Sequence, residues 1–213
     1  YIKGKQELKS SNINVPSDLS SSAFFIVAAI INKGSKINLK NININPSRNG
    51  ILKALKKMGA KINIRNQRTI SGEIVADLDA EYSKLVGCEL DAEMAKYMID
   101  EYPILSIAAA FASGTSIFRG LKELKVKESD RLELIRLNLE NCGCECEVIN
   151  DDLIIKPSRF YIPKNKNIRT DFDHRIAMSF AVMGSKIDNL VIQDGESINT
   201  SFPNFIEIFN NAG

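Results

Sequence analysis

Asp100-Glu-Tyr-Pro-Ile-Leu-Ser-Ile-Ala-Ala-Ala-Phe-Ala112 opens on two acids and runs into an almost wholly apolar stretch. A helix that is apolar all round, not along one stripe, is a buried helix. The pattern occurs twice more. Asp18-Leu-Ser-Ser-Ser-Ala-Phe-Phe-Ile-Val-Ala-Ala-Ile-Ile31 precedes it, and Asp173-His-Arg-Ile-Ala-Met-Ser-Phe-Ala-Val-Met183 follows it. The leading acids lie 82 and 73 residues apart. Each segment closes on a glycine and a small hydroxyl residue, Gly34-Ser35, Gly114-Thr115 and Gly184-Ser185. Glycine there can supply the left-handed residue that ends a helix.

A repeat at fixed offsets is read before anything else, because it decides the whole architecture. Outward from each buried helix comes a short β-branched stretch: Lys36-Ile-Asn-Leu39, Ser116-Ile-Phe118 and Leu190-Val-Ile192. A second helix follows, opening near Ser47, Ser129 or Ser201, which are 82 and 72 residues apart. Serine there is predicted to be the N-cap. These second helices are amphipathic: Ile51, Leu55 and Met58 share a face, as do Leu132, Ile135 and Leu139, and Phe202, Phe205 and Phe209. They are predicted to stop at Gly59, Gly143 and Gly213, spaced 84 and 70 residues apart. Paired strands come next. Lys61–Arg65 is expected to pair with Arg68–Ile70, and Cys144–Ile149 with Leu153–Lys156 about the turn Asn150-Asp151-Asp152. The unit is β-α-β-α-β-β, and the third copy breaks off at Gly213. The expected class is α/β (α+β): a pseudo-threefold domain with three apolar helices in the centre, ringed by three amphipathic helices and three sheets.

Composition bounds the function. The chain has 213 residues, 44% of them hydrophobic and 25% charged, with a formal net charge of +2. That is long enough for one large core. The even charge balance gives no support for a nucleic-acid or membrane-surface partner. The longest apolar run, Ala23 to Ile31, is far short of the roughly 18 to 20 residues that span a bilayer. Tyr1-Ile-Lys-Gly-Lys5 fits neither a signal nor a transit peptide. The chain is therefore expected to start inside a longer polypeptide, with any targeting segment upstream, and to work in the cytoplasm. Cys142, Cys144 and Cys146 alternate after a helix, and Cys88 stands apart. Zinc ligands usually come as C-x2-C pairs with a second pair elsewhere. A helix end leading into a strand is the simpler reading, with no metal and a reducing compartment.

Two polar clusters break the pattern. Lys125-Val-Lys-Glu-Ser-Asp-Arg131 lies at the strand-to-helix junction of the second unit. A helix N-terminus favours anions, and Lys127 and Arg131 add full positive charge. Glu128 is a carboxylate among cations, available as acid or base. Taken alone, such a run reads as a solvated loop with a cap. Thr170-Asp-Phe-Asp-His-Arg175 opens the third buried helix; alone, Asp173 reads as a cap, Arg175 as the partner of an acid, and His174 as a satisfied polar residue. Capping is also the plain reading of Asp100. Pseudo-symmetry changes the weighing, because it puts all these groups at one end of the central helices. Asp18, Asp100, Glu128 and Asp173 then share a face with Lys127, Arg131 and Arg175. Acids and guanidinium groups converging on helix heads suit a ligand with phosphate and carboxylate groups.

Those residues carry a resemblance. Val126-Lys-Glu-Ser-Asp-Arg-Leu132 and Asp173-His-Arg-Ile-Ala-Met178 are similar to the two signatures of the 5-enolpyruvylshikimate-3-phosphate synthase family, a branch of the enolpyruvyl transferases. Val15-Pro-Ser-Asp-Leu-Ser-Ser-Ser-Ala-Phe-Phe25 resembles the segment by which that family re-enters its second domain. Ile99-Asp-Glu-Tyr-Pro103 and Ser201-Phe-Pro-Asn-Phe205 also fit, in order. The resemblance covers essentially the whole chain. It implies residues 1–14 as a crossover from a first domain and 15–213 as the carboxy-terminal domain. It implies transfer of the enolpyruvyl group of phosphoenolpyruvate to the 5-hydroxyl of shikimate 3-phosphate, by addition and then elimination, without metal or organic cofactor.

The resemblance also implies roles. Asp100 would contact the shikimate hydroxyls and accept the 5-hydroxyl proton, and Lys127 would lie beside the same substrate. Glu128 would protonate the methylene carbon of phosphoenolpyruvate. Arg131 and Arg175 would hold phosphoenolpyruvate, or glyphosate in its place, with Asp173 and His174 lining that pocket. Two positions depart from the family pattern. Ser17 stands for the usual glycine of the re-entry segment, and Glu196 stands near a position often occupied by a phosphoenolpyruvate-binding lysine. The family's first domain supplies the opposing wall, so the chain alone is expected to be inactive. Two alternatives are a domain of the sister UDP-N-acetylglucosamine enolpyruvyl transferase, which the Lys-Glu-Ser-Asp-Arg run opposes, and a non-catalytic binding module on the same fold.

Overall fold

In a computed structural model of the chain, residues 3–7, 9–157 and 165–212 are described. Tyr1, where the sequence opens, and Gly213, expected to end the last helix, lie outside them. The three all-apolar segments form α1 (Leu19–Ile31), α4 (Tyr102–Ala110) and α6 (His174–Gly184). They pack against one another in all three pairings. Every residue of α4 is buried, and α1 leaves only Ser21 and Ala28 partly exposed or exposed. Burying a Leu, Ile or Phe side chain is worth roughly 1.5–3 kcal/mol, so these helices are held by their surroundings more than by propensity.

The repeat unit is seen best in its second copy. β4 (Glu89–Leu90) leads through α3 (Ala95–Met98) into α4, then β5 (Ser116–Phe118), α5 (Arg131–Asn141), β6 (Cys146–Ile149) and β7 (Asp152–Ile155). The sheet order is β4-β5-β7-β6, with β4 parallel to β5. In the first copy, β1 (Lys36–Asn43), α2 (Gly50–Lys57), β2 (Lys61–Ile70) and β3 (Glu73–Glu81) give the order β1-β3-β2. A parallel bridge from Ser17 to Ile42 stands where β4 stands beside β5. In the third copy, β8 (Asn167–Ile168) runs parallel to β9 (Val191–Ile192), and α7 (Phe205–Asn211) follows. The outer helices bury the faces read from the sequence. Ile51, Leu55 and Met58, and Leu132, Ile135 and Leu139, are all buried. On α7 the Phe205 ring is buried and stacks on Phe209, with centroids 5.5 Å apart.

Several local expectations need correction. Arg68–Ile70 is not a separate strand paired with Lys61–Arg65; both belong to β2, which pairs with β3. Asn66, at φ 52°, makes a bulge and not a turn, and the hairpin turns at Ser71 and Gly72, with φ of 50° and 84°. Two consecutive left-handed residues match the twist of the flanking strands. The serines do not cap the second helices. The N-caps are Asn49, Asp130 and Asn204, and of these only Asp130 makes a side-chain cap bond, to the Glu133 amide at 3.0 Å. Gly34, Gly59, Gly114 and Gly143 are left-handed as expected, whereas Gly184 remains helical.

The cysteines are free and buried, and behave as core residues. Burial pushes the Cys142 and Cys144 thiols up to about 12, which makes poor thiolates. Among the described residues no group of three or more His, Cys, Asp or Glu side chains could hold a metal ion, and no helix is long and apolar enough to cross a membrane.

Candidate active site at the heads of the buried helices

Asp173 is the N-cap of α6, and the chain is bent to put it there. Asp171 and Phe172 both adopt left-handed backbone, φ 49° and 60°, in a turn closed by the Asp173 amide on the Thr170 carbonyl at 2.9 Å. Such residues cost about 1–2 kcal/mol each. Arg169 grips Asp171 through two bonds of 2.6 and 2.8 Å, and the buried Thr170 hydroxyl bonds to the Gln193 carbonyl. Asp173 Oδ1 then accepts the amides of Arg175 and Ile176, at 2.9 and 3.4 Å.

Asp173 does a second job. Its Oδ2 accepts Arg131 Nε at 2.8 Å and the Ser129 hydroxyl at 2.9 Å, and Oδ1 receives Arg131 Nη2 at 3.4 Å. Arg131 begins α5, and both it and Asp173 are fully buried. Burial alone would raise the Asp173 carboxyl, but the bond and charge of Arg131, with help from Ser129 and the Arg175 amide, hold it below the ordinary aspartate value. A buried pair of this kind needs its remaining groups satisfied. Here Asp100 Oδ1 takes Arg131 Nη1 at 3.0 Å, and Glu128 Oε2 takes Nη2 at 2.5 Å. One guanidinium thus gathers three carboxylates from three parts of the chain.

Asp100 is not a helix cap. It sits in a 3-10 turn, Ile99–Glu101, ahead of α4, whose first turn carries Pro103. Its carboxylate faces cations: Arg131 at 3.0 Å, Lys127 at 3.7 Å and Arg175 at 3.9 Å. Lys127 also pairs with Glu123 at 2.8 Å, and chiefly that bond raises its pKa. Arg175 Nη1 donates to the Asp100 carbonyl at 3.2 Å. His174, half-buried on the same turn of α6, has its pKa lowered first by burial; Asp173 and Glu128 oppose this, and Arg175 and Arg131 add to it.

The structure therefore brings together Asp100, Lys127, Glu128, Arg131, Asp173 and Arg175, with His174 beside them. Asp18 stays apart. It caps α1 through the Ser21 amide at 2.7 Å, and no bond among the described residues ties it to Arg131. Ser129, Glu123 and Glu101 were not read as site residues. Glu123 was within reach of sequence reasoning, since it lies one helical turn before Lys127. Chemically, a half-exposed carboxylate (Glu128, 53% side-chain exposure) and a partly exposed one (Asp100) stand among fixed cations. That arrangement can bind an anionic ligand and move a proton at either acid. Glu196 is the second residue of the 3-10 turn Gly195–Thr200 that follows β9.

The family model described as EPSP synthase (3-phosphoshikimate 1-carboxyvinyltransferase) matches residues 1–209. Among curated relatives, a 3-phosphoshikimate 1-carboxyvinyltransferase of Paramagnetospirillum magneticum is 46% identical over the whole of this chain and 48% of its own length. The enzyme of the same name from Cereibacter sphaeroides is 45% identical over the same shares. An EPSP synthase structure from Acinetobacter baumannii superposes with a TM-score of 0.91 at 39% identity, over 98% of this chain and 48% of that one. The enolpyruvyl transferase NikO from Streptomyces tendae, at 16% identity and a TM-score of 0.65 over 93% of this chain and 43% of its own, shares the fold. The chain spans about half the length of the relatives it matches.

Proposed function

This chain belongs to the EPSP synthase family, and from that premise we propose that it carries one wall of a site that moves the enolpyruvyl group of phosphoenolpyruvate to the 5-hydroxyl of shikimate 3-phosphate. The observation that carries the reading is the convergence of Asp100, Glu128 and Asp173 on buried Arg131, with Lys127 and Arg175 on the Asp100 carboxylate.

In the addition step the 5-hydroxyl oxygen bonds to C2 of phosphoenolpyruvate. Asp100 takes the hydroxyl proton, and Glu128 delivers a proton to the methylene carbon, leaving a tetrahedral adduct with a methyl group. In the elimination step a methyl proton returns to Glu128, the double bond re-forms, and the C–O bond to phosphate breaks, the phosphate leaving with the proton that Asp100 took. Lys127 lies beside the shikimate 3-phosphate. Arg131 and Arg175 receive the phosphoenolpyruvate charges, with Asp173 fixing Arg131 and His174 lining the pocket. Glu128 now occupies Arg131 Nη2, so a ligand anion arriving there displaces it; a freed Glu128 beside the bound anion is where the proton donor is needed. Residues 15–213 make the domain that presents these groups, with 1–14 leading into it, and the site operates in the cytoplasm once an opposing wall completes it.

The test is to join the chain to the half of a relative that it does not match, and to follow phosphate release. Release that needs both substrates and is lost in Glu128→Gln supports the proposal. Binding of a UDP-sugar acceptor in place of shikimate 3-phosphate sinks it.

A further inference from the structure

Glu101 follows Asp100 in sequence but turns to the core, where its side chain is 6% exposed. Its Oε1 makes no hydrogen bond and lies 3.6 Å from Arg175 Nη1. From the other side the Ser20 hydroxyl favours the charged form of the carboxylate. Buried Ser20 in turn accepts Arg48 Nη2 at 3.3 Å. A line of groups therefore runs Arg48, Ser20, Glu101, Arg175, from the approach to α2, across the heads of α1 and α4, to α6. An unsatisfied buried carboxylate oxygen is costly. Closing the gap to the usual 2.7–2.9 Å of a charged bond takes a guanidinium movement of less than about 1 Å.

We propose that Glu101 is a positioning residue for Arg175: it holds the guanidinium from the core side through Nη1 and keeps the Nε edge turned to an incoming anion. Among the described residues, Nη1 takes both the Asp100 carbonyl and the Glu101 contact, while Nε takes no bond. A guanidinium binds a carboxylate or phosphate best through a two-pronged edge. With one corner fixed, less side-chain freedom is lost when the anion lands. Burial raises the Glu101 carboxyl, with Asp100 adding to the rise and Ser20, Arg175 and Arg48 opposing it, so its charge depends on those cationic and hydroxyl neighbours. The inference rests on the reading that Arg175 holds phosphoenolpyruvate.

Two measurements test it. One is the order of the Arg175 Nε–Hε bond in the 213-residue chain from nitrogen-15 relaxation, with its signal assigned through Arg175→Lys. The other is calorimetric titration of the chain joined to the missing half of a relative, with phosphoenolpyruvate and, separately, with shikimate 3-phosphate. Glu101→Gln keeps the shape and removes the charge. It is expected to drop the order parameter from roughly 0.85 to below about 0.6. It is expected to weaken phosphoenolpyruvate about tenfold, with the shikimate 3-phosphate affinity unchanged. Glu101→Asp keeps the charge and recovers part of both losses. Ser20→Ala removes the hydroxyl that favours the charged carboxylate; it shifts both readouts the same way by a smaller factor, and serves if Glu101→Gln does not fold. An unchanged Arg175 order parameter in a folded Glu101→Gln overturns the inference. If the chain joined to the missing half of a relative binds neither ligand, the functional reading falls, and the bond order in the 213-residue chain still decides the role of Glu101.

Discussion

Asp173→Ala is predicted to cost far more than a helix cap. The side chain caps α6 through two amides, and it also holds the Ser129 hydroxyl and two nitrogens of Arg131. Losing a cap costs about 1 kcal/mol. Breaking a buried ion pair and leaving one partner behind costs about 3–5 kcal/mol. Arg131 keeps Asp100 and Glu128, so the lower part of that range applies, and the sum comes to about 4 kcal/mol. Asp18→Ala is the internal control. Asp18 caps α1 at 2.7 Å in the same way, but it is exposed and pairs with no cation among the described residues, so about 1 kcal/mol is expected. Asp173→Asn keeps a capping oxygen and removes the charge, and should fall between them. Urea unfolding followed by circular dichroism reads all three. With a slope of about 3 kcal/mol per molar, the midpoint drops about 1.3 M for Asp173→Ala and about 0.3 M for Asp18→Ala.

The same variants carry a pH signature. The Asp173 carboxyl is depressed in the folded state, because Arg131 and its other donors outweigh burial. Its contribution is therefore present above the ordinary aspartate pKa of about 3.9 and is lost as pH falls below that value. Asp173→Ala should flatten that part of the acid limb. If Asp173→Ala and Asp18→Ala cost the same within about 1 kcal/mol, the claim that Arg131 depends on Asp173 is wrong.

Other predictions are shorter. Asp77, held down to about 2 first by Asn66 and then by the Asn41 amide, with Arg68 helping against burial, gives stability that is present above pH ~4 and fades toward pH 2; Asp77→Asn should remove that fading from an acid titration of the melting temperature. Gly87→Ala would put a Cβ 2.2 Å from the Thr115 carbonyl oxygen, backbone that cannot swing away; a loss of at least about 2 kcal/mol is expected in urea unfolding. Gly184→Ala meets nothing within 4 Å on a helical backbone, and should gain up to about 1 kcal/mol in the same experiment. Phe205→Ala empties a buried cluster with Phe24, Phe25, Phe202 and Phe209 and should cost about 3–5 kcal/mol.

The buried helices were legible because burial on every side leaves its mark in every residue. The hairpin of the first unit was not. Asn66-Gln67-Arg68 and Ser71-Gly72 are both sound local turns, and the choice between them is made by β3, whose side chains pair across to β2 through both halves of the bulge. The capping serines fail for a similar reason. Serine, asparagine and aspartate compete for the same N–H groups at nearly equal strength, and Ser129 is drawn away by Asp173, 44 residues further along. No local pattern could say that Glu101 faces the core while Asp100 faces the cations.

One signal for the site did lie in the sequence. An acid at a helix head can cap the helix or pair with a cation, and a carboxylate at a cap has fewer lone pairs left for a ligand. Asp18 and Asp173 open helices with ordinary first turns, and both accept backbone amides. The second helix begins Tyr102-Pro103, and proline has no N–H to satisfy there. A 3-10 turn ahead of it replaces the cap. The helix with least need of a cap is therefore the one whose acid is free. That is why Asp100 can meet Arg131, Lys127 and Arg175 at once. Of three acids in equivalent positions of the repeat, the proline singles out the one left to face three cations.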